Sequence, residues 1–135
     1  MRTFIIDDKS GQKPTLVMTH GALTSSIIFY RMLESLSNKY RIVLFDNLGW
    51  GLNTRPQECR AKESPEASEE WMRKWILNCI NALDVPEKFF LFGNSMGAWL
   101  LCQYASQCPK RVSGLFVTNP IGLSDYDIET WPGYA

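Results

Sequence analysis

The chain has 135 residues, of which 45% are hydrophobic and 13% aromatic, which is enough for one globular domain with a buried core. Its 14 basic and 14 acidic side chains balance without long runs of either sign, which argues against a nucleic-acid partner or an anionic membrane surface. The cysteines at positions 59, 79, 102 and 108 form no Cys-x-x-Cys pair and no cluster with histidine, so we expect reduced thiols, no metal and no cofactor.

The N-terminal residues contain no recognisable targeting segment. The acids Asp7 and Asp8 come before any apolar run of signal-peptide length could form, and about 18 uninterrupted apolar residues occur nowhere. We therefore expect a cytoplasmic protein without a transmembrane segment, in which peripheral membrane association stays open.

The first third of the chain predicts strands around one helix. Residues 2–7 and 15–19 are rich in β-forming side chains and are separated by a short Gly-containing turn, so we expect them to pair as an antiparallel hairpin. Residues 27–37 place apolar side chains at helical spacing, and the apolar run 40–45 predicts a buried strand that ends at Asp46.

The rest of the chain alternates helices with apolar strands. A capping Ser-Pro pair begins a helix with one apolar stripe over 64–83, and a strand at 88–93, a helix at 96–107 and a strand at 112–118 follow. Near-continuous apolar strands that alternate with amphipathic helices predict an α/β fold, a mostly parallel sheet with helices on both faces. Ligands bind such sheets at the carboxyl ends of the strands.

The most informative pattern is Gly-x-Ser-x-Gly at residues 93–97, between a predicted strand and a predicted helix. Gly93 and Gly97 allow strand and helix to pack closely, while Ser95 occupies a strained turn that exposes its hydroxyl. The pattern predicts that Ser95 is a nucleophile. The alternative is an ordinary helix-capping serine, because Ser is a favoured N-cap residue.

Four motifs, in order, resemble the α/β-hydrolase superfamily over nearly the whole chain. They are the His-Gly-Ala at 20–22, which resembles the oxyanion loop, the Asp-x-x-Gly-x-Gly turn at 46–51, the elbow at 93–97, and the strand at 111–120 that follows the elbow helix. The resemblance implies an α/β-hydrolase-like sheet and a serine hydrolase that acts on carboxylic ester or lipid acyl bonds.

A finer resemblance concerns the substrate. Residues 53–56, 66–71, 104–109 and 119–122 resemble the branch of the superfamily that acts on phospholipid and N-acyl lipid substrates. The Gly-Asn-Ser-Met-Gly elbow itself is also similar to hydrolases that cleave carbon–carbon bonds of ring-fission products. A small-molecule acyl or lipid substrate is the partner that the resemblance implies.

The resemblance also implies roles for the residues around Ser95. The backbone N–H groups of Ala22 and Met96 would form the oxyanion hole. The chain has one histidine, His20, and the family's general base comes from a loop far downstream of the serine, so His20 is expected to shape its loop, with a role as base kept as the alternative. The expected loop-shaping residues are His20, Gly21, Asp46, Gly93 and Gly97.

The triad acid has only weak candidates. Asp125 and Asp127 follow the strand after the elbow helix, where some members of the resembled family place the acid. Asp46 precedes Ser95, against the family's order of serine, acid and histidine, so a turn-capping role is expected for it.

The resembled fold continues beyond the strand at 112–118 and begins one strand earlier, so we expect residues 1–135 to be a partial α/β-hydrolase domain that lacks the C-terminal strands and the catalytic histidine. Residues 122–135 would begin a cap or linker. Three explanations stay open: a truncated product, a half-enzyme completed by another chain, or a non-catalytic binding or scaffold module. The strand at 112–118 would be an exposed edge, available to a partner chain or to a dimer.

Overall fold

Strands and helices alternate along the computed structural model, which describes residues 1–54 and 65–122. The strands within these residues are β1 (Thr3–Ile6), β2 (Thr15–Thr19), β3 (Arg41–Phe45), β4 (Phe89–Asn94) and β5 (Val112–Thr118). The helices are α1 (Tyr30–Ser37), α2 (Pro65–Asn81) and α3 (Met96–Gln107), with short 3-10 helices at Ser26–Phe29 and Pro109–Arg111. The predicted succession of elements is therefore confirmed.

The strands form one mixed sheet in the order β1-β3-β2-β4-β5. β2 pairs in parallel with β3 and β4, β4 pairs in parallel with β5, and β1 pairs antiparallel with β3. The register places Val17 opposite both Val43 and Leu91, so the centre of the sheet is a continuous apolar row. This confirms the mostly parallel α/β sheet that the sequence predicts.

The expected hairpin between the first two strands is wrong. β1 pairs with β3, and β2 lies one position further into the sheet. All of the residues of β2 are buried, as expected of a central strand with both faces covered. The connection between Ile6 and Thr15 is longer than the two to five residues of a tight hairpin, which lets the chain pass β3 and enter the middle of the sheet.

Each face of the sheet has its own apolar core. On one face, Val17, Val43 and Leu91 pack among side chains of α2 and α3, including Ile80 and Leu101. On the other face, the buried cluster is Leu16, Met18, Phe29, Ile42 and Leu44, and α1 covers it with Met32, Leu33 and Leu36. Because β2 supplies alternate residues to both cores, it is the strand whose position organises the domain.

The helix expected over 27–37 is divided in two. A 3-10 turn at Ser26–Phe29 precedes α1, which begins only at Tyr30. The turn buries Phe29, whose ring meets Phe92 edge to face at a centroid distance of 5.6 Å. The 3-10 turn thus joins the end of β2 to the face of the sheet below α1.

β5 is the last strand of the described sheet, and Phe116 and Val117 on it are exposed.

Among the described residues, no helix combines the length and the apolar character needed to cross a bilayer. The thiols of Cys79, Cys102 and Cys108 are free, and burial raises the pKa of Cys79 to about 12. Cys59 lies outside the described residues.

Candidate active site

Ser95 is the one residue that connects β4 to α3, and the chain turns sharply there. β4 ends at Asn94 and α3 begins at Met96, and Ser95 between them has φ 53° and ψ −120°. Few residues other than glycine adopt a positive φ, and this conformation costs on the order of 1–3 kcal/mol. The Ser95 hydroxyl makes no capping hydrogen bond to α3, so the geometry does not favour a helix-capping role.

The backbone of Ser95 is held on both sides. Its N–H donates to the carbonyl oxygen of Thr118 at the end of β5, with an N–O distance of 2.9 Å. Its carbonyl oxygen accepts from the N–H of Trp99 at 3.2 Å, which begins the hydrogen bonding of α3. Asn94 strengthens the link to β5, because its side-chain amide donates to the Thr118 hydroxyl at 3.0 Å. These bonds support the strained conformation from two neighbouring elements.

The first turn of α3 packs directly on the end of β2. A Cβ atom at Gly97 would lie 2.5 Å from the carbonyl oxygen of His20 and 2.6 Å from that of Thr19. A Cβ at Gly93 would similarly lie 2.6 Å from Cα of Ala98. Both glycines of the elbow motif are therefore required for close packing between the strand, the helix and the neighbouring loop.

The loop after β2 passes beside the Ser95 side chain. A Cβ atom at Gly21 would lie 2.9 Å from Cβ of Ser95, so the Gly21 backbone borders the serine. Ala22 follows on an exposed turn. Met96 is the first residue of α3, and the N–H groups of a helix's first turn have no acceptor within the helix. Of the two predicted oxyanion-hole residues, Ala22 therefore follows the residue that borders Ser95, and Met96 follows Ser95 itself.

His20 is fully buried beneath this loop, and both of its ring nitrogens are engaged. Nδ1 lies 2.6 Å from the carbonyl oxygen of Gly21, and Nε2 lies 3.0 Å from the backbone nitrogen of Asn47. Because the Asn47 N–H must donate, Nε2 is the acceptor and Nδ1 carries the proton that is donated to Gly21. This assignment makes His20 a neutral imidazole in the Nδ1–H form.

The charge state of His20 follows from its surroundings. Burial lowers the pKa of His20 below the usual 6.5, against the opposing effects of the Gly21 carbonyl and the Asp46 carboxylate. Nε2 is 3.4 Å from Oδ1 of Asp46, but Nε2 already accepts the Asn47 N–H and carries no proton to share with the carboxylate. We therefore assign a neutral His20 beside an ionised Asp46.

Asp46 joins three segments at the end of β3. Its Oδ1 accepts from the backbone N–H and the hydroxyl of Ser26 at 2.8 and 2.7 Å, and its Oδ2 accepts from the N–H of Leu52 at 2.9 Å. Burial tends to raise the pKa of Asp46, but the hydrogen bonds from Leu52 and Ser26 outweigh it and lower the pKa below 3.8. The carboxylate thus anchors both the 3-10 turn and the loop of residues 46–52.

Asn47 is a site residue that the sequence reasoning missed. Besides its backbone bond to His20, its side-chain amide donates to the carbonyl oxygen of His20, and its Oδ1 accepts from the hydroxyl of Thr19 at 3.0 Å. Asn47 is 1% exposed. The available signal is its place at the carboxyl end of β3, where a buried strand delivers polar side chains to the active edge.

The predicted residues fall into three groups. Ser95, Gly21, Gly93, Met96 and Gly97 meet at the carboxyl ends of β2 and β4. His20 and Asp46 lie beneath them and bind the loops. Asp125 and Asp127, like most of the expected cap segment 122–135, lie outside the described residues.

The fold and this edge together define a class of protein. A mostly parallel sheet that carries Gly-x-Ser-x-Gly on a strained turn between strand and helix is the arrangement of an α/β hydrolase. Residues 14–134 match the α/β hydrolase fold family, so the chain belongs to this family. The resemblance drawn from the sequence motifs is confirmed.

Curated relatives give the family match more detail. A protein of Oryza sativa named probable 1-acylglycerol-3-phosphate O-acyltransferase is 34% identical over 123 residues, which are 87% of this chain and 28% of the relative. A pimeloyl-[acyl-carrier protein] methyl ester esterase of Legionella pneumophila is 34% identical over 130 residues, which are 95% of this chain and 46% of the relative. The chain thus spans less than half the length of these relatives.

The fold recurs among solved structures. A membrane phospholipase A described as a bacterial virulence factor superposes with a TM-score of 0.73 at 24% identity, over 90% of this chain and 36% of that one. At this identity the likeness shows the fold alone. It confirms the element order and the sheet described above.

Proposed function

We propose that this chain carries the nucleophilic half of an acyl-transferring serine enzyme, with Ser95 as the nucleophile toward a carboxylic ester or lipid acyl carbonyl. The observation that carries the proposal is the backbone of Ser95, at φ 53° and ψ −120°, with its hydroxyl uncapped beside Gly21. A serine with only a structural role has no need of such strain.

The proposed reaction proceeds through an acyl-enzyme. Oγ of Ser95 transfers its proton to a general base and bonds to the acyl carbonyl carbon, and the carbonyl oxygen becomes an oxyanion. The N–H groups of Ala22 and Met96 stabilise that charge, assisted by the positive N-terminal end of α3. Collapse of the intermediate expels the alcohol, which takes the proton from the base, and water then releases the acid.

The general base is the missing component. The 135 residues contain one histidine, His20. Its two ring nitrogens already bond to Gly21 and Asn47. We propose that His20 shapes the oxyanion loop and that the base comes from outside these residues. The chain would then be part of a longer domain or a half-enzyme completed by another chain, with the exposed edge of β5 as one place for such a chain to join.

The relatives support an acyl carbonyl as the reacting group. One is named for O-acylation of 1-acylglycerol-3-phosphate and another for hydrolysis of a methyl ester on an acyl group carried by a protein. Both names imply chemistry at an acyl carbonyl. The acyltransferase name favours a second candidate function, in which a lipid hydroxyl replaces water as the acceptor of the acyl group.

A fluorophosphonate probe tests the proposed nucleophile, because it bonds to an activated serine with loss of fluoride. The experiment compares the 135-residue chain with the longest in-frame gene product that contains it. The long product should be labelled and should cleave a p-nitrophenyl ester, and Ser95→Ala should abolish both. Ser106→Ala is the matched control, because Ser106 is an exposed serine on the same helix.

The chain alone should react at least about 1,000-fold more slowly, since a triad without its base retains only oxyanion and binding effects. Labelling that recovers when a C-terminal fragment of the gene product is added would indicate a half-enzyme. A folded long product that binds acyl ligands but is never labelled at Ser95 would contradict the proposal and indicate a binding module. When 1-acylglycerol-3-phosphate is supplied as the acceptor, its acylated form as product indicates acyl transfer, and the free acid as product indicates hydrolysis.

A further inference from the structure

One buried side chain holds the loop that borders Ser95 at two successive peptide groups. The carbonyl oxygen of His20 belongs to the first peptide, and the side-chain amide of Asn47 donates to it. The carbonyl oxygen of Gly21 belongs to the second peptide, and the imidazole that donates to it receives the backbone N–H of Asn47 on its other nitrogen. Asn47 therefore acts on the first peptide directly and on the second through His20.

The His20 carbonyl determines the orientation of the Asn47 side-chain amide. The carbonyl oxygen of His20 can only accept, so the nitrogen of the Asn47 amide must face it, and Oδ1 then lies 3.0 Å from the hydroxyl of Thr19. Thr19 and Asn47 are both at most 1% exposed, so water does not compete for these bonds. The Thr19 hydroxyl also lies 3.1 Å from the carbonyl oxygen of Phe45, so it has two acceptors for its proton.

The geometry of a trans peptide relates the direction of the Gly21 carbonyl to that of the Ala22 N–H. In a planar trans peptide the C=O and the following N–H point in opposite directions, and the described chain contains no cis peptide. Holding the Gly21 carbonyl on the imidazole therefore directs the Ala22 N–H away from the buried His20. Gly21, the residue before this N–H, borders Ser95, because a Cβ atom at Gly21 would lie 2.9 Å from Cβ of Ser95.

We propose that Asn47 is a positioning residue that orients the Ala22 N–H, acting through His20 and the two peptide groups of the loop. The inference rests on the proposed function for the meaning of that N–H as an oxyanion donor. The clamp itself does not depend on catalysis and can be measured without it. A merely structural asparagine would change stability alone.

The experiment uses two substitutions at Asn47. Asn47→Asp keeps the shape and the acceptor for Thr19, but it places a carboxylate oxygen against the His20 carbonyl. Asn47→Leu removes both side-chain bonds and leaves the backbone N–H in place. The same substitutions at Asn78, an exposed residue of α2, are matched controls.

The first readout is NMR of the isotope-labelled chain, in which His20 is the single histidine and supplies the only imidazole signals. In the native chain we expect His20 in the Nδ1–H form, with a coupling across the hydrogen bond from the backbone N–H of Asn47 to Nε2. The absence of this coupling would overturn the proposal without any variant. Both Asn47 variants should shift the imidazole nitrogens and the Ala22 amide, and the Asn78 variants should shift neither.

The second readout is the rate of fluorophosphonate labelling in the longest gene product. Both Asn47 variants should slow the modification of Ser95 by about tenfold to a hundredfold, because a misplaced donor weakens transition-state stabilisation. Unchanged rates despite a shifted Ala22 amide would overturn the positioning role and leave the proposed function intact. If Ser95 is unreactive in the native protein, the proposed function fails, and the Ala22 amide alone decides for or against the clamp.

Discussion

Gly97→Ala tests whether the packing of α3 on β2 holds Ser95 in place. The added Cβ would lie 2.5 Å from the His20 carbonyl oxygen and 2.6 Å from that of Thr19. Carbon and oxygen atoms ordinarily approach to about 3.3–3.6 Å, so the helix must move by about 1 Å. Both oxygens belong to backbone at the buried end of a central strand, which leaves the helix as the part that yields.

The magnitude follows from two opposing terms. Overpacking a tight contact costs typically about 1–3 kcal/mol, and more where backbone must shift. Alanine in place of glycine within a helix returns about 1 kcal/mol. Because backbone must shift here, the cost should reach the upper end of about 3 kcal/mol, which leaves a fall of about 2 kcal/mol in the free energy of unfolding. A shift of about 1 Å at the first turn of α3 should also slow reactions of Ser95 by about 100-fold.

Urea unfolding followed by tryptophan fluorescence measures the first effect, and fluorophosphonate labelling of the longest gene product measures the second. Gly114→Ala is the matched control, because its Cβ would meet a side-chain ring, that of Phe90, at 2.9 Å, and the ring can move. The control should lose about 1 kcal/mol or less and keep its labelling rate. A Gly97→Ala protein as stable and as reactive as the native one would refute the proposed packing.

Two further predictions concern the same edge. Ser95→Gly should abolish labelling but raise the free energy of unfolding by about 1 kcal/mol, because glycine adopts φ 53° without strain; lower stability would contradict the strained turn. Asp46 has a folded pKa below its unfolded value of 3.8, so its stabilisation is present above pH 3.8 and is lost as the pH falls through the folded pKa. Asp46→Asn should therefore lower the free energy of unfolding at neutral pH by about 1–3 kcal/mol. It should also make the free energy of unfolding fall less steeply below pH 3.8. Urea unfolding at a series of pH values measures both effects. An unchanged acid slope would contradict the assigned contacts, although some slope should persist because Asp8, with a pKa of about 2, also contributes.

The local elements were predictable because each depends on neighbours in sequence. The apolar run before Gly93 predicts a strand, and the small residues around Ser95 predict a sharp turn into a helix. β4 and α3 lie where these patterns place them, at Phe89–Asn94 and Met96–Gln107. The family itself was recognisable from the motifs, since their order along the chain is a property of the sequence.

Strand neighbours were not predictable in the same way. The turn residues predicted between the first two strands indicate a hairpin, but β2 pairs with β3 and β4 instead. In the centre of the sheet, Leu16, Val17 and Met18 of β2 are buried on both faces. The free energy gained by this burial outweighs the lower entropic cost of pairing strands that are adjacent in sequence. That gain depends on helices and strands far along the chain.

The sequence by itself determined the order of the elements, the family, and the place of Ser95 between a strand and a helix. Only the tertiary structure decided the charge state of His20 and the part played by Asn47. Hydrogen bonds across 27 positions of sequence join these two residues, and one buried histidine can adopt either tautomer until its partners are in place. Contacts of this kind arise when β2 and β3 pair, and no local pattern records them.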